Sequence, residues 1–512
     1  MTRLRLRGKI RRPTVDEVLD IGDALFLDLS DEEAEEYTSI IDRSLALFDR
    51  LDELPLPHRT IKYRDRDPGY RPSPEEDPLN LYITKCNVKG APRGKLAGKR
   101  VGLKDNLCLA GVPLTNGSRV AEGYVPDIDA VVVERLLDAG AVIVGKMNMD
   151  DFAFAGTGET SAFGPPRNPR NPEHSAGGSS GGSGAAVAAG EVDLALGVDE
   201  GGSGRGPAAW CGVVSIKPTH GLVPTYGLVY MDHTLDFICP IARTVEEVAL
   251  ALEVLAGDDP RDPQWVRGPI KVDRYTRAIG KDVSGMKIGL IKEAFSLAVS
   301  EPDVDQAVKE AVQSLGERGV SAQEVSLPMF RDARAIWTAL TAHSAAAMVE
   351  SDGEGYWRGG WCNIGWQETF GRARRTRGHD FPPLLKMVAI EAKYMMQNYF
   401  STYYSKAQNL RMAFRDEVDR LLKEYDALAL PTIPMKPVKL LTEPVGLREM
   451  GSRVASIARN TLAFNLTGHP AITVPCGPRD SLPIGMQLVG RHWDESTLFR
   501  LSHAWEQMAQ GK

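Results

Sequence analysis

The sequence predicts an α/β protein with a mixed, largely parallel central sheet flanked by helices, an N-terminal helical region and an inserted smaller domain. Two observations predict this class. Short apolar runs alternate with Ala-rich helical segments between residues 81 and 285, a pattern typical of parallel strands joined by helices. Apolar runs of the same kind return after residue 426, behind a long helical stretch, so we expect the chain to come back to the first sheet.

The N-terminal region, residues 1–80, is predicted to be helical and then linker-like. Thr14 and Ser30 each stand three residues before a glutamate, the spacing of a capping box, and each begins an amphipathic stretch. Two amphipathic helices cannot close a core alone, so we expect their apolar stripes to cover the main body or a second subunit in a homodimer. The Pro-rich, charged stretch from Pro55 to Pro78 is typical of a linker.

Three further segments follow. The core, residues 81–285, is predicted to contain strands at Lys99–Leu103, Ala141–Val144 and Val192–Gly197 and helices at Ala130–Ala139 and around Gly184–Ala189. Residues 286–425 are expected to form the inserted domain and a lid over the substrate pocket, with a strand at Ile288–Ile291 and helices through Pro383–Tyr425. Residues 426–512 are expected to rejoin the core, with strands at Ala427–Leu430, Ala471–Val474 and Ile484–Val489 and a closing helix from Ser496.

Composition argues against several classes of protein. A net charge of −7 disfavours nucleic-acid binding as the main task, because phosphate neutralisation needs clustered Lys and Arg. The six cysteines lie far apart, without a C-x-x-C pair or a Cys/His spacing suited to zinc. No apolar stretch approaches the ~20 residues of a membrane span, and no secretory signal follows the basic N-terminus. We therefore expect a cytoplasmic protein without a metal, cofactor, membrane or nucleic-acid partner.

The most informative stretch is residues 177–221, where two Gly-Gly-Ser loops flank one helix and one strand. Glycine permits close approach of the backbone to a ligand, and successive N–H groups form a nest that binds negative charge. A serine in such a loop can be nucleophile and oxyanion-hole residue together. A flexible linker would not alternate with strong strands and helices, and the pattern G-x-x-x-x-G-K-[ST] of a phosphate loop is absent. Close packing of the glycines without a catalytic role would not explain why the Gly-Gly-Ser loop occurs twice.

These loops resemble those of the amidase signature hydrolases. The resemblance is carried by KDN at Lys104–Asn106, GGSSGGSGA at Gly177–Ala185, DEGGSGRGPA at Asp199–Ala208 and CGVVSIKPTHGLVP at Cys211–Pro224. It is strong over about residues 90–260, good over 425–512 and weak between 286 and 425. It implies the amidase signature fold and the hydrolysis of a carboxamide to a carboxylate and ammonia or an amine.

The resemblance further implies a Ser–Ser–Lys triad. Ser203 would be the nucleophile that attacks the carbonyl carbon, and Ser179, held in the family by a cis peptide, would pass the proton to Lys104. The base must be neutral to accept a proton. Because the ordinary pKa of lysine is about 10.4, burial has to lower the pKa of Lys104.

Other site residues follow from the same resemblance. The backbone N–H groups of residues 200–203 are implied as the oxyanion hole, namely those of Glu200, Gly201, Gly202 and Ser203. Three more polar residues are expected to brace the nucleophile loop, namely Ser180, Asp199 and Arg205. Glu200 and Gly204 depart from the family pattern: Glu200 places a carboxylate beside the oxyanion donors, and Gly204 loosens the loop or opens the pocket. Lys146 lacks the following Asp-Asn and is interpreted as structural.

The substrate and the rival functions stay open at this stage. An acyl group against Phe154 and the aromatic cluster of Trp357, Trp361 and Trp366 would suit an aryl or bulky apolar amide, although the tryptophans fit a core equally well. Carbamates, hydrazides and anilides use the same acyl-enzyme chemistry. The alternative within the family is the glutaminase subunit of a tRNA-dependent amidotransferase, whereas the helical N-terminal region favours an amidase that dimerises. A catalytically inactive binding module would not need all three triad residues.

Overall fold

The computed structural model describes residues 10–56, 60–264, 270–356, 359–477 and 482–510. The chain divides into two compact units, Met1–Thr60 and Ile61–Lys512. The first unit contains helices α1 (Val15–Ala24) and α2 (Asp31–Glu53). Both predicted capping boxes form, because the Thr14 and Ser30 hydroxyls accept from the backbone N–H three residues later. Both helices carry exposed apolar side chains.

The strands and helices of the second unit follow the predicted alternation. The strands are β1 (Arg66–Tyr70), β2 (Tyr82–Lys89), β3 (Arg100–Lys104), β4 (Val142–Met147), β5 (Arg167–Asn168), β6 (Asn171–Ser175), β7 (Leu194–Asp199), β8 (Val214–Lys217), β9 (Phe237–Ala242), β10 (Lys287–Ile291), β11 (Ser321–Val325), β12 (Ala427–Pro431), β13 (Ala471–Pro475) and β14 (Gly485–Val489). The helices are α3 (Val131–Asp138), α4 (Gly181–Ala188), α5 (Arg205–Cys211), α6 (Val245–Leu255), α7 (Pro302–Ser314), α8 (Ala333–Glu350), α9 (Ile364–Thr376), α10 (Pro383–Tyr399), α11 (Thr402–Glu424), α12 (Leu447–Ile457), α13 (Leu462–Thr467) and α14 (Glu495–Gln510).

One large mixed sheet organises the second unit and confirms the predicted α/β class. Within the described residues it has 12 strands in the order β1-β2-β4-β3-β7-β9-β8-β13-β14-β12-β10-β11. The expectation of a largely parallel sheet is wrong. Among these described strands, only the pairs β3–β4, β3–β7, β10–β11 and β10–β12 are parallel, and the other neighbours are antiparallel.

The position of strand β9 explains why the sheet is less parallel than expected. β7, α5 and β8 follow one another as a strand–helix–strand unit, and β7 and β8 do run in the same direction. β9 nevertheless pairs antiparallel with both of them and therefore lies between them. An alternation of strands and helices predicts crossovers but does not reveal a strand that inserts between the two parallel ones.

Two other strands lie where the sequence predicts something different. β1 lies inside the stretch interpreted as a linker and pairs antiparallel with β2 at the edge of the sheet. β10 and β11 lie in the segment 286–425 and belong to the same sheet as the core strands. The division of the chain into functional segments therefore stays a prediction. Among the described residues, no helix is long and apolar enough to cross a membrane.

The sheet brings the loops of interest together. β3 ends at Lys104 and β7 ends at Asp199, and the two strands are parallel neighbours, so their carboxyl ends meet at one edge. α4 begins just after Ser179 and α5 just after Ser203. In open α/β sheets, ligands bind outside the carboxyl ends of such strands.

Candidate active site

Lys104 is fully buried at the end of β3. Its Nζ lies 2.7 Å from Ser179 Oγ and donates to the Val198 carbonyl at 3.1 Å. Burial lowers the pKa of Lys104 to about 8, although the carboxylates of Asp236 and Asp150 act in the opposite direction. The structure thus places beside Ser179 an amine that loses its proton not far above neutral pH.

Ser179 lies in a tightly held turn. The peptide bond between Gly178 and Ser179 is cis. The Ser179 carbonyl accepts from the Asp150 N–H at 3.1 Å, and a Cβ on Gly178 would collide with the Asp150 carboxylate. Asp150 is itself held by the N–H groups of Gly158 and Thr160. Sequence reasoning missed this support, although the motif NMDDFAF that contains Asp150 was the signal that could have revealed it.

Asp199 holds the loop between β7 and α5, which contains Ser203. Asp199 accepts from the backbone N–H groups of Gly202, Gly204 and Arg205 at 2.8–3.2 Å and forms a fully buried ion pair with the Arg205 guanidinium. Burial acts to raise the pKa of Asp199, but the charge of Arg205 and the hydrogen bonds from Arg205 and Asn465 hold it well below its usual range. The carboxylate therefore stays ionised and fixes the loop.

Ser180 joins the two serine loops. Its N–H donates to the Ser203 carbonyl at 3.2 Å, and its hydroxyl exchanges hydrogen bonds with the backbone of Val198 at 3.2 Å. Ser203 is 7% exposed, whereas Ser179 and Ser180 are fully buried. The Ser180–Ser203 backbone hydrogen bond therefore holds the loop of Ser203 next to the loop of Ser179, and Ser203 is the most exposed of the three serines.

The predicted oxyanion hole needs one correction. The Gly202 N–H donates to Asp199 Oδ1 at 2.8 Å, so this group is already used inside the loop. Gly202 instead shapes the backbone. Its φ of +129° is one that side chains rarely adopt, and a Cβ there would collide with the Thr461 hydroxyl. The remaining donors of the predicted set belong to Glu200, Gly201 and Ser203.

A small cavity lies beside Lys104 and Ser179. Its aromatic lining comes from Phe152 and Tyr230. The prediction for Phe154 is therefore corrected: positive φ at Phe152 and Ala153 turns the chain there, so these two residues reach the cavity and Phe154 is not among its lining.

The predicted tryptophan cluster is packed elsewhere in the fold. Trp366 is fully buried and contacts the rings of Tyr124, Phe152 and Phe370. Trp361 packs edge-on against Tyr226. Both are accounted for by core packing, and Trp357 lies outside the described residues.

Two carboxyl groups line the cavity, and only one of them was singled out from the sequence. Glu200 is 4% exposed and Asp236 1% exposed. Burial and the neighbouring acids, Asp236 first among them, raise the pKa of Glu200 well above its usual range. Burial likewise raises the pKa of Asp236 to about 7. A single Asp within the apolar run LDFICP was the available signal for Asp236.

Lys146, interpreted from the sequence as structural, is a fully buried lysine at the end of β4. Its Nζ lies 2.8 Å from Asp105 Oδ1, and both side chains are completely buried. Asp105 also accepts from the Thr115 N–H at 2.8 Å. The aspartate that follows Lys104 in the KDN motif therefore pairs with the neighbouring lysine, Lys146.

One further cluster could hold a metal ion. His469 Nε2 lies 3.0 Å and His492 Nδ1 3.5 Å from Asp419 Oδ1. None of the three lines the cavity beside Lys104. Hydrogen bonding between the imidazoles and the carboxylate accounts for the arrangement without an ion.

Comparison with known proteins covers most of the chain. The family model "Amidase" matches residues 82–499. The A subunit of a glutamyl-tRNA(Gln) amidotransferase from Natronomonas pharaonis is 41% identical over 430 residues, which cover 83% of this chain and 99% of that protein. The crystal structure of the corresponding protein from Thermotoga maritima superimposes with a TM-score of 0.71 at 34% identity, covering 84% of this chain and 88% of that one. A 6-aminohexanoate cyclic dimer hydrolase gives a TM-score of 0.71 at 26% identity, covering 81% and 85%.

The fold and these matches define an enzyme that cleaves amide bonds. The chain belongs to the amidase family, as the resemblance implies. The predicted partners, by contrast, are wrong. A homodimer acting on a small amide without nucleic acid was expected, but the relatives are named as subunits of an amidotransferase that acts on glutamyl-tRNA(Gln). The sequence argument failed because net charge describes the whole chain and not one docking surface.

Proposed function

We propose that the chain hydrolyses a carboxamide through an acyl-enzyme on Ser203, with Ser179 as relay and Lys104 as base. The observation that carries this proposal is the 2.7 Å distance between Lys104 Nζ and Ser179 Oγ. A base works best when its pKa lies near the working pH, and burial lowers the pKa of Lys104 to about 8. This arrangement is the Ser–Lys variant of triad chemistry.

In the first half-reaction, neutral Lys104 takes the proton of Ser179 while Ser179 takes that of Ser203. The Ser203 oxygen then bonds to the carbonyl carbon, and the carbonyl oxygen becomes an oxyanion. The intermediate collapses as the C–N bond breaks, and the proton returns through Ser179 to the leaving nitrogen. Water, deprotonated along the same route, then hydrolyses the ester and frees the carboxylate.

The negative charge on the oxyanion needs donors that are in place before the reaction. We assign this role to the backbone N–H groups of Glu200, Gly201 and Ser203. The hydrogen bonds from the loop to Asp199 support the assignment, because they hold this backbone in one conformation. Removing one oxyanion donor from an enzyme of this kind costs about 10²–10³ in kcat.

For the substrate we propose the side-chain carboxamide of glutamine, with the chain acting as one component of an assembly that uses the released ammonia. Its support is the similarity to the A subunits of glutamyl-tRNA(Gln) amidotransferases, at 39–41% identity over more than four fifths of the chain. Those alignments cover 84–99% of the relatives. The six free cysteines fit a cytoplasmic setting, which is part of the proposal.

A second candidate is an amidase that acts on other small amides. Two observations favour it: helices α1 and α2 lie outside the stretch matched by the family model, and a cyclic-amide hydrolase superimposes with a TM-score of 0.71. The bulky aryl amide favoured by the sequence has less support, because Trp366, which was expected to line its pocket, is packed in the core.

The segment 286–425 is proposed to cover the site. Trp337 on α8 supports this role, because its Nε1 lies 3.5 Å from the Glu200 carbonyl. A Cβ on Gly201 would lie 3.2 Å from the same indole. The segment thus reaches the nucleophile loop directly.

Ammonia release from glutamine, propanamide and benzamide by the wild type and by Ser203→Ala tests the proposal. We expect the fastest release from glutamine and a loss of about 10⁴–10⁶ in rate in the variant. Retention of a tenth of the activity by Ser203→Ala would refute the nucleophile. Hydrolysis of propanamide without hydrolysis of glutamine would favour the second candidate. Acid-quenched wild type should carry the acyl group by mass spectrometry, and Ser203→Ala should not.

A further inference from the structure

The cavity beside Lys104 and Ser179 has a lining rich in hydrogen-bond acceptors. Four residues of this lining each have one buried side-chain oxygen without a hydrogen-bond partner in the described part of the chain. These atoms are Asn106 Oδ1, Asn116 Oδ1, Glu200 Oε1 and Asp236 Oδ1. All four side chains are at least nine-tenths buried. Buried acceptors in folded proteins are normally paired with a donor, so these four oxygens are suited to accept hydrogen bonds from a ligand.

Two of the four oxygens belong to carboxyl groups, which favour a ligand with positive charge. Glu200 and Asp236 come from separate parts of the chain, the nucleophile loop and the approach to β9, yet both face the same cavity. Among the described residues that line it, the one cationic side chain is Lys104, which lies against Ser179 and Val198. The subsite therefore offers two carboxyl groups and two amide oxygens to whatever enters it.

We propose that this acceptor-lined cavity binds the acyl part of the substrate and selects compact carboxamides that carry an ammonium group, with Glu200 as the main determinant of that selection. The inference rests on the proposed amide hydrolysis and adds a substrate class to it. Glutamine belongs to the class because of its amino group, and so do small ω-amino amides.

Charge explains how Glu200 can act although its pKa is raised. In the empty cavity burial and the neighbouring Asp236, Asp232 and Asp199 favour its neutral form. An ammonium group supplies the missing countercharge, so binding of the cation and loss of the Glu200 proton are coupled. A neutral ligand of the same shape supplies no countercharge, so loss of the Glu200 proton does not strengthen its binding.

Matched pairs of amides test the inference. 4-Aminobutanamide and pentanamide differ by an ammonium in place of a terminal methyl, as do glycinamide and propanamide. The readout is the ratio of kcat/KM for the cationic amide to that for its neutral partner. We expect the wild type to favour the cation by at least tenfold in one pair and Glu200→Gln to reduce the ratio towards one. Glu200→Gln keeps the backbone N–H that is assigned to the oxyanion hole.

A control variant and a binding measurement distinguish a specific effect of Glu200 from a general effect of changing a buried carboxylate. Asp305→Asn also changes a buried carboxylate with an unpartnered oxygen, but Asp305 lies on α7 and does not line the cavity, so the ratio should stay at the wild-type value. Calorimetry on Ser203→Ala, with its natural Glu200, should show tighter binding of 4-aminobutanamide than of pentanamide. This measurement does not depend on the folding of a Glu200 variant.

Equal ratios for wild type and Glu200→Gln, or equal affinities of the two amides for Ser203→Ala, would overturn the inference. Both results would leave the proposed function intact as long as Ser203→Ala abolishes turnover. Undiminished turnover by Ser203→Ala would instead remove the proposed function, on which the inference rests.

Discussion

Two fully buried lysines end neighbouring parallel strands, and their surroundings differ in one respect. Lys146, on β4, lies 2.8 Å from the Asp105 carboxylate. Lys104, on β3, contacts a hydroxyl and a carbonyl, both neutral. A paired cation is stable when buried, whereas an unpaired one tends to lose its proton. The two lysines occur in similar sequence contexts. The comparison teaches that the position of one carboxylate, that of Asp105, distinguishes the structural lysine Lys146 from the candidate base Lys104.

Exchanging the base should give the largest effect. Lys104→Arg and Lys104→Ala should each lower kcat/KM by about 10⁴-fold or more, because guanidinium cannot be deprotonated in a protein and alanine offers no base. Kinetics with glutamine or a small amide measure this, with circular dichroism as the check on folding. An active Lys104→Arg enzyme would rule out the lysine-base mechanism even if Ser203 proves essential.

Removing the other lysine should affect stability. Lys146→Met leaves Asp105 buried without its partner, and breaking a buried ion pair in this way costs about 3–5 kcal/mol. Lys104→Met should not lower the free energy of unfolding comparably, because no carboxylate loses its partner. Urea unfolding of the two variants beside wild type measures the difference. Equal losses in both would show that the two environments are energetically alike.

The smallest effect concerns pH. In the proposed mechanism neutral Lys104 is the active form, so kcat/KM should rise about tenfold per pH unit up to a pH of about 8 and level off above it. The Asp236 charge raises the pKa of Lys104, so Asp236→Asn should move the midpoint to lower pH. His343→Gln, away from the cavity lining, is the control and should keep the wild-type midpoint. A shift to higher pH in Asp236→Asn would contradict the electrostatic account.

Much of the fold could be predicted from local pattern. The strands predicted at 99–103 and 141–144 and the helix predicted at 130–139 correspond to β3, β4 and α3, and the two capping boxes follow from two spacings. β1 could not be predicted in this way, since Asp67, Pro68 and Gly69 disfavour a strand. Its pairing with β2, a tertiary contact, determines its conformation. The position of β9 between β7 and β8 depends on tertiary contacts as well.

The site was predictable wherever a loop motif carries it. The glycine- and serine-rich stretches indicate Ser179, Ser203 and the bracing pair of Asp199 and Arg205, and the structure brings these loops together. Their catalytic roles stay predictions until the variants are measured. The residues that line the cavity were harder to predict from the sequence. Asp236 and Phe152 reach the cavity through backbone turns, and no sequence spacing indicates these turns. The expectation for Phe154 failed for the same reason.

The brace formed by Asp199 has a consequence for how such an enzyme can change over evolutionary time. Asp199 and Arg205 fix the main chain of the nucleophile loop, and main-chain atoms are the same whichever residue supplies them. The side chain at position 200 can therefore be exchanged without rebuilding the groups assigned to the reaction. Under the proposed function, a single substitution at position 200 can therefore change the preferred substrate while the main-chain donors of the loop stay in place.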